Sequence, residues 1–409
     1  MKVVLIHQTF VAPEEAGGTR HFELASHCEK QGIQFTIVAS NLTYLTGKSV
    51  IENPGLITEE KRGPVRILRA RTLATLHRSF FWRTLSFLSF MVTSVWAGLR
   101  AGPVDLVMGT SPPIFQALSA WVVALLRRRP FVFEVRDLWP EFAIDIGILK
   151  NPILIGIARL LERFLYWQSE HLMVNSPAYK KYLTKQKDVD ANKVTLIPNG
   201  VNPQMFDPNA CGEAFRREWD LEDKFLVVYA GAVGMANDIP NILRAARGLM
   251  SDEGIHVAIV GDGKELGKMK ELAAELKVTN VTFTGAMPKS RMPEVLAASD
   301  VCLATLRDIP MFRAPYPNKV FDYMAAGRPT VLGIDGVIRE VIEEAEAGIF
   351  VPPGDSGALS AAIQRLRQDP ELCAAMGRAA RDGVVRNFDR SVHARKFGEL
   401  LYRLVPGRD

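Results

Sequence analysis

Twice along this chain, short apolar runs alternate with longer stretches of helical periodicity, and that alternation restricts the fold more than any other feature. The first series runs VVLIH (3–7), FTIVAS (35–40), VRILRA (65–70), VDLVMGT (104–110), FVFEVRD (131–137), HLMVNS (171–176) and VTLIPNGV (194–201). Helical patterns at 18–31, 80–99, 113–127 and 152–168 separate its members. The second runs FLVVYAG (225–231), HVAIVG (256–261), VTFTG (281–285), VCLATL (301–306) and PTVLG (329–333), with helical patterns at 240–250, 264–276, 291–298, 319–326, 337–345 and 355–368. Strands that are apolar throughout must be covered on both faces, which predicts parallel sheets between layers of helix. Two such series predict an α/β protein of two doubly wound domains. The changeover falls at IPNGVNPQMFDP (197–208), rich in Pro and Asn, which gives domains of 1–198 and 199–387. A closing amphipathic helix, about 388–409, is expected to pack back on the first domain. Ligands of such sheets bind at the carboxyl ends of the strands, so a cleft between the two domains is the expected site.

The chain has 409 residues, 48% hydrophobic and 23% charged, enough to give each domain a core and to exclude disorder. Cys28, Cys211, Cys302 and Cys373 are scattered without a CxxC, as free thiols in a reducing cytosol would be. The opening MKVVLIHQ is too short an apolar run for a signal peptide and reads as a first strand. Charge is unevenly placed. Residues 61–136 hold twelve Lys or Arg against two acids, a balance of +10 that leaves −5 for the rest of a chain totalling +5. Within this zone SFFWRTLSFLSFMVTSVWAGLR (79–100) carries Phe80, Phe81, Trp82, Phe87, Phe90 and Trp96, with Arg78, Arg83 and Arg100 around them. Arg83 and several hydroxyls argue against a transmembrane span. Two readings stand: an interfacial helix facing anionic lipid, or a buried amphipathic helix of the first domain. Arg127–Arg129 either extend the patch or cap a helix. No nucleic-acid motif accompanies the basic zone, so no nucleic-acid partner is expected.

Four segments carry candidate chemistry. In HQTFVAPEEAGGTRHFE (7–23) a strand ends at His7 and Gly17-Gly18 open a helix, where backbone amides can meet a phosphate. An ordinary flexible loop is the plain alternative. His7 reads equally as a core histidine, and Arg20 as meeting either an anion or solvent. In FEVRDLWPE (133–141) a strand ends in Arg136-Asp137, and an acid there can orient or deprotonate a hydroxyl. A structural salt bridge is the alternative, and Glu141 is a second candidate that reads as surface. In AIVGDGKELGKMKEL (258–272) Gly261 and Gly263 follow a strand, fitting a nucleotide-facing turn or a plain strand-to-helix turn. In PYPNKVFDYMAAGRP (315–329) Lys319 and Asp322 share one helical face after Pro317-Asn318. A carboxylate can take both hydroxyls of a ribose and a lysine can neutralise a diphosphate, so this segment reads as a sugar-nucleotide site. The alternative is a surface ion pair at i, i+3. Asp188-Val189-Asp190 lies in a lysine-rich loop and is discounted as a metal site.

Taken in order, the first strand with Gly17-Gly18, TLIPNGVNPQMF, VGDGKEL, VTFTGAMPKSRMPEVLAASDVCL, PNKVFDYMAAGRPTV and AGIFVPPGD resemble family 4 retaining glycosyltransferases over nearly the whole chain. The likeness is to the branch serving bacterial O-antigen and capsule assembly, which includes N-acetylfucosaminyl transferases. It implies the GT-B fold, two Rossmann-like domains facing a cleft, with the acceptor mostly on the first and the donor mostly on the second. It also implies metal-independent transfer with retention and no cofactor. The basic 61–136 region adds the expectation of a cytoplasmic protein, peripheral on the inner face of the bacterial plasma membrane. Carried over by position, Gly17 and Gly18 lie near the donor diphosphate, Lys319 near the phosphates, Asp322 at the ribose, and Asn318 among the donor-binding residues. Gly263 and Met287 flank the base, and Glu340 is the acid after the following strand. Asp137 and Lys319 are the catalytic candidates, with Arg20 and Arg136 on the acceptor side.

Two departures stand out. The upstream member of the family's glutamate pair is Ala314 here, and the later one is shortened to Asp322. The turn YAGAVGMANDIPN has Asp238 where a basic residue is common, leaving Arg307, Arg313 or Lys319 to compensate. The expected donor is a UDP-linked N-acetyl sugar, or a GDP-sugar in the alternative, and the expected acceptor a lipid-linked saccharide. An NAD-dependent oxidoreductase is disfavoured, since no G-x-G-x-x-G and no ribose acid follow the first strand. A nucleotide-binding protein that has lost catalysis and a UDP-sugar epimerase also fit two sheets of this kind.

Overall fold

The computed structural model describes residues 1–43, 47–74 and 80–405. Arg78 and Ser79 of the aromatic segment, the side chains of Phe80, Phe81 and Arg83, and the last four residues of the chain lie outside the described residues. Two units emerge. The first comprises Met1–Ala12, Thr19–Pro198 and Ser391–Asp409, and the second Pro13–Gly18 and Asn199–Arg390. The Pro13–Gly18 loop, read from sequence with the first domain, thus makes its contacts within the second unit.

The first unit is built from β1 (Lys2–Ile6), α1 (Arg20–Glu29), β2 (Gln34–Ser40), β3 (Ile57–Arg62), β4 (Val65–Ala70), α2 (Phe80–Leu99), β5 (Leu106–Thr110), α3 (Phe115–Arg127), β6 (Phe131–Val135), α4 (Glu141–Asp145), α5 (Pro152–Gln168), β7 (His171–Val174), α6 (Pro177–Gln186) and β8 (Val194–Leu196). The strand order is β3-β4-β2-β1-β5-β6-β7-β8, parallel except for the β3–β4 pair. Apolar residues of β1, β2, β5 and α1 form one core cluster with Ala394, Phe397 and Leu401. On α3, small residues allow a close approach to β5: a Cβ added at Gly109 would fall 2.7 Å from the Ala120 side chain. α5 starts firmly, since Asn151 accepts from the amides of Ile153 and Leu154 and Pro152 occupies the first turn. α2 is two-sided: Ser86, Phe90, Ser94 and Ala97 are buried, while Trp82, Leu88, Val92 and Trp96 are exposed.

The second unit contains α7 (Glu213–Glu218), β9 (Phe225–Ala230), α8 (Ile239–Gly248), β10 (Ile255–Val260), α9 (Leu266–Glu275), β11 (Val281–Gly285), α10 (Met292–Ala298), β12 (Val301–Thr305), α11 (Asn318–Ala325), β13 (Thr330–Gly333), α12 (Val337–Glu344), β14 (Gly348–Phe350), α13 (Ser356–Gln368) and α14 (Pro370–Asn387). The last helix, α15 (Arg390–Arg403), belongs to the first unit from Ser391 onward. The sheet order β11-β10-β9-β12-β13-β14 is parallel throughout. The order reverses at β9 and β12, where a doubly wound sheet opens a crevice beyond its strand ends. In the first unit the reversal falls at β1 and β5.

Candidate functional site

In the second unit, α11 brings its first turn to the end of β9. Pro317 stands at its N-cap and supplies no side-chain cap, so although the Val320 amide donates to Pro317 O at 3.1 Å, no capping side chain meets the amides of Asn318 and Lys319. Lys319 reaches back over the turn after β9. Its Nζ lies 2.7 Å from the Tyr229 hydroxyl and 4.0 Å from the centroid of that ring. The Tyr229 hydroxyl donates its proton to Ala232 O at 2.8 Å and therefore accepts from the ammonium. A Cβ added at Gly231 would come within 2.7 Å of Nζ. Among the described residues no carboxylate pairs with Lys319, and burial lowers its pKa from 10.5 to about 7. Of the three cations that could stand in for the one missing from the 231–238 turn, Lys319 lies over Gly231, Arg307 lies near Asp238 with its amide donating to Ala236 O at 3.0 Å, and Arg313 is exposed and turned to Asp308 at 3.3 Å.

Asp322 does not pair with Lys319. Its Oδ2 accepts from Lys289 Nζ at 2.5 Å, replacing the surface i, i+3 pair that the spacing allowed. Lys289 is buried, and its Nζ also lies 5.5 Å from the centroid of the Phe206 ring. The Lys289 backbone N–H donates to Glu15 O at 3.3 Å, which joins the Pro13–Gly18 loop to this corner. Gly17 has φ of +144°, a region that favours glycine, and a Cβ at Gly18 would make ordinary contact with Asn318 Nδ2 at 3.6 Å. The Asn318 Oδ1 atom is buried with no hydrogen-bond partner. A polar atom buried without a partner is costly, and here it stands at the helix start beside Lys319.

Gly261 and Gly263 have a local explanation. A Cβ at Gly261 would fall 1.8 Å from Gly231 O, and one at Gly263 2.4 Å from Val233 O. These glycines are required by the close packing of two backbone turns, whose amides at Gly231 and Val233 donate to Val260 O and Asp262 O. Of the two readings of that motif, the turn geometry accounts for Gly263 without a nucleotide. Met287 packs against the hydrophobic core of the unit, and Glu340 is exposed in the first turn of α12.

In the first unit, polar side chains gather at the carboxyl ends of β1, β5 and β6. Glu134, fully buried, accepts from Arg20 Nε at 3.1 Å, from the Thr110 hydroxyl at 2.9 Å and from His21 Nε2 at 2.5 Å. Burial pushes its pKa up, but His21, Arg20 and Arg136 outweigh this and hold the carboxyl well below the usual range. Arg20 is no free anion receptor. Its remaining nitrogens donate to Pro198 O and Ile197 O at 2.7 Å each, and it is buried. Arg136 is different: Nε donates to Ser111 O at 2.8 Å, while its terminal nitrogens face His21 Nδ1 at 3.5 Å and His7 Nε2 at 3.4 Å. Burial lowers the pKa of both imidazoles, and at His21 it does so against the pull of Glu134. Arg136 and Thr9 both face His7 Nε2, which puts the imidazole proton on Nδ1, an atom buried without a partner. His7 is therefore a core histidine only half satisfied. Asp137 follows Arg136, and its Oδ1 is likewise buried without a partner. Burial raises its pKa from 3.8 to about 6, against the pull of the Ser111 hydrogen bond and of Arg136. Glu141 is engaged by Arg159 and Lys187 and belongs to a surface ion network.

Sequence reasoning missed Lys289, Tyr229, Glu134 and His21. Glu134 had a signal, since an acid inside a strand that is otherwise apolar must be paired when buried. Lys289 had none, because only the fold brings it to Asp322. Asp190 caps a short turn through Asn192 N, and among the described residues no cluster of three His, Cys, Asp or Glu is arranged to hold a metal.

Comparison with known proteins gives the same division. Residues 16–200 match the glycosyl transferase 4-like domain and residues 213–383 the glycosyl transferases group 1 family. The chain is 28% identical over 350 residues to a probable glycosyltransferase, WbjE, of Pseudomonas aeruginosa, covering 83% of this chain and 82% of that one. Sucrose-phosphate synthase from Thermosynechococcus elongatus superposes with a TM-score of 0.77 at 20% identity, covering 98% of both chains. Anabaena HepE, solved in complex with UDP and glucose, gives 0.74 at 16% identity over 98% of this chain and 99% of its own. The chain is a glycosyltransferase of GT-B fold, assembled from a glycosyl transferase 4-like domain and a group 1 glycosyl transferase domain, each on its own Rossmann-like sheet.

Proposed function

We propose that this enzyme moves a sugar from a UDP-linked donor to a lipid-linked saccharide in cell-surface polysaccharide synthesis, with retention at the anomeric carbon. The sugar is an N-acetylated hexosamine or deoxyhexosamine, in line with the likeness to N-acetylfucosaminyl transferases. The observation that carries this reading is the Lys319 ammonium, set over the turn after β9 with no carboxylate to neutralise it among the described residues. A diphosphate would supply the missing charge, and UDP bound to HepE supports a uridine nucleotide. Lys319 and the first amides of α11 would stabilise the diphosphate as the bond from the anomeric carbon to its oxygen breaks. No metal is needed in this scheme, because these groups supply the positive charge. Asp322, with Lys289 fixing one of its oxygens, would read the ribose hydroxyls. Gly17, Gly18 and Asn318 would line the donor, and Gly263, Met287 and Glu340 would be its outer neighbours. On the acceptor side, Asp137 would take the proton of the attacking hydroxyl as its oxygen bonds the anomeric carbon, and Arg136 would orient the acceptor. The location proposed is cytoplasmic and peripheral, against an anionic membrane surface reached through the basic 61–136 region.

The test is to incubate the purified protein with radiolabelled UDP- and GDP-sugars and a bacterial membrane lipid extract. Label appearing in lipid from a UDP-sugar supports the reading, and label from a GDP-sugar alone corrects the donor. Nucleotide binding without turnover would favour a protein that has lost catalysis, as Ala314 in place of an acid suggests. A changed UDP-sugar in the absence of acceptor would point to an epimerase.

A further inference from the structure

α5 is apolar on two faces. Ala158, Leu165 and Tyr166 are buried toward the sheet. On the outer side Ile153, Ile157, Leu160 and Trp167 are 71, 59, 69 and 74% exposed, and half-buried Phe164 completes a stripe at spacings of four and three. Single exposed apolar residues are commonplace, whereas four large ones in line on one helix mark an interaction surface. The stripe continues onto α3. Trp121 meets Phe164 edge-on at 4.9 Å, and Leu125 and Leu126 at the end of α3 are mostly exposed.

The charges beside the stripe have one dominant sign. Arg163 is exposed next to Leu160 and Trp167, exposed Lys150 precedes α5, and α3 runs into exposed Arg128 and Arg129. The single acid of α5, Glu162, is buried against Lys187 at 2.7 Å and the Tyr166 hydroxyl at 3.0 Å. Of the other acids nearby, Glu141 is held by Arg159 and Lys187, Asp190 caps its turn, Asp188 lines the groove beside Trp167, and Glu170, exposed just past the end of α5, lies near Lys193. A second copy placed here by a twofold axis would bring two arginine-rich faces together around an apolar seam. An anionic bilayer instead offers phosphates to the arginines and acyl chains to the stripe. The helix has 17 residues, about 25 Å, and no helix among the described residues is long and apolar enough to cross a membrane.

We propose that the outer face of α5, with the end of α3, is a docking face for an anionic lipid bilayer. The helix lies in the plane of the headgroups, with Ile153, Ile157, Leu160 and Trp167 turned to the acyl chains and the arginines among the phosphates. The inference deepens the proposed function by naming the partner surface that presents a lipid-linked acceptor, and it rests on that reading only for its purpose.

The experiment is flotation of the full chain with vesicles of phosphatidylcholine alone and of an equimolar mixture with phosphatidylglycerol. The wild type is expected to float with the mixed vesicles and to blue-shift its tryptophan emission, a shift that Trp167→Phe diminishes. The pair Ile157→Ser and Leu160→Ser, at exposed positions, is expected to weaken partitioning about tenfold or more with an unchanged melting temperature. Arg128→Glu with Arg129→Glu gives an independent loss on the mixed vesicles only. Failure of the wild type to bind mixed vesicles, or serine variants that bind as well as wild type, would overturn the proposal. So would a wild-type dimer in light scattering that the serine pair converts to monomer. Vesicle binding without sugar transfer would leave the docking face standing and remove the transferase reading. Transfer to a water-soluble acceptor without vesicle binding would do the reverse.

Discussion

The Lys319 ammonium donates to the Tyr229 hydroxyl at 2.7 Å directly above Gly231, where even a methyl group would crowd it. The lysine comes from α11 and the tyrosine from β9, so the positive charge at this turn is assembled from two distant segments. Substituting Gly231→Ala should displace the ammonium and lower kcat/KM for the donor by about tenfold to a hundredfold. Lys319→Met should cost about 10²–10³ in kcat, the range seen when a donor to a developing charge is removed. Steady-state kinetics with the active UDP-sugar checks both.

The Lys289–Asp322 pair is nearly enclosed, so its halves should be unequal to their sum. Lys289→Met alone strips a shielded carboxylate of its cation and should cost about 3–5 kcal/mol. The double variant Lys289→Met with Asp322→Leu should recover much of that loss while still failing to bind donor. Urea denaturation of the four proteins of the cycle, with UDP titrations alongside, separates the fold's need for the pair from the donor's.

Asp137 should set a pH limb. Its folded pKa is raised from 3.8 to about 6, so the base form appears only above that value. The kcat/KM profile should rise through about pH 6, and Asp137→Asn should remove the limb and lower the rate about 10²–10⁴-fold. The stability effect has the opposite sign. Between pH 3.8 and about 6 the unfolded chain has lost the proton that the fold retains, so stability declines as pH rises through that window. At neutral pH Asp137→Asn should therefore melt higher than wild type, which calorimetric scans would detect.

Arg20 should behave as a structural residue. Arg20→Met deprives buried Glu134 of a cation and leaves the Ile197 and Pro198 carbonyls without their donor, at a cost of about 3–5 kcal/mol. UDP affinity of the folded fraction should stay unchanged. A normal melting curve with weakened acceptor use would return Arg20 to the acceptor side.

Much of the scaffold is legible in the sequence because parallel strands, covered on both sides, are written as unbroken apolar runs such as VVLI and LVVYA. β3, ITEEKR, has no such signature because it is an edge strand paired antiparallel to β4, with Glu59, Lys61 and Arg62 in solvent and Glu60 turned to buried Arg69. α14 announces itself only through its start, where Asp369 caps it and Pro370 occupies its first turn. At the site, Lys319 and Asp322 are visible through their spacing, but spacing suggests that they face each other. The fold instead gives each its own partner, Tyr229 and Lys289, at sequence distances that no local pattern encodes. α5 is legible as a helix, but which of its two apolar sides is buried depends on where the sheet lies.

Whether Lys319 receives the donor diphosphate is decided by calorimetric titration of UDP into wild type and Lys319→Met, near pH 7.5, in buffers of different ionisation heat. Burial leaves Lys319 with a pKa of about 7, so it is partly neutral in the free protein, and an arriving diphosphate would draw a proton onto it. Fractional proton uptake by the wild type is expected, with an affinity that weakens as pH rises, and both effects should be lost, with weaker binding, in Lys319→Met. Equal UDP affinity in the two proteins, with no proton taken up by either, would contradict that role for Lys319.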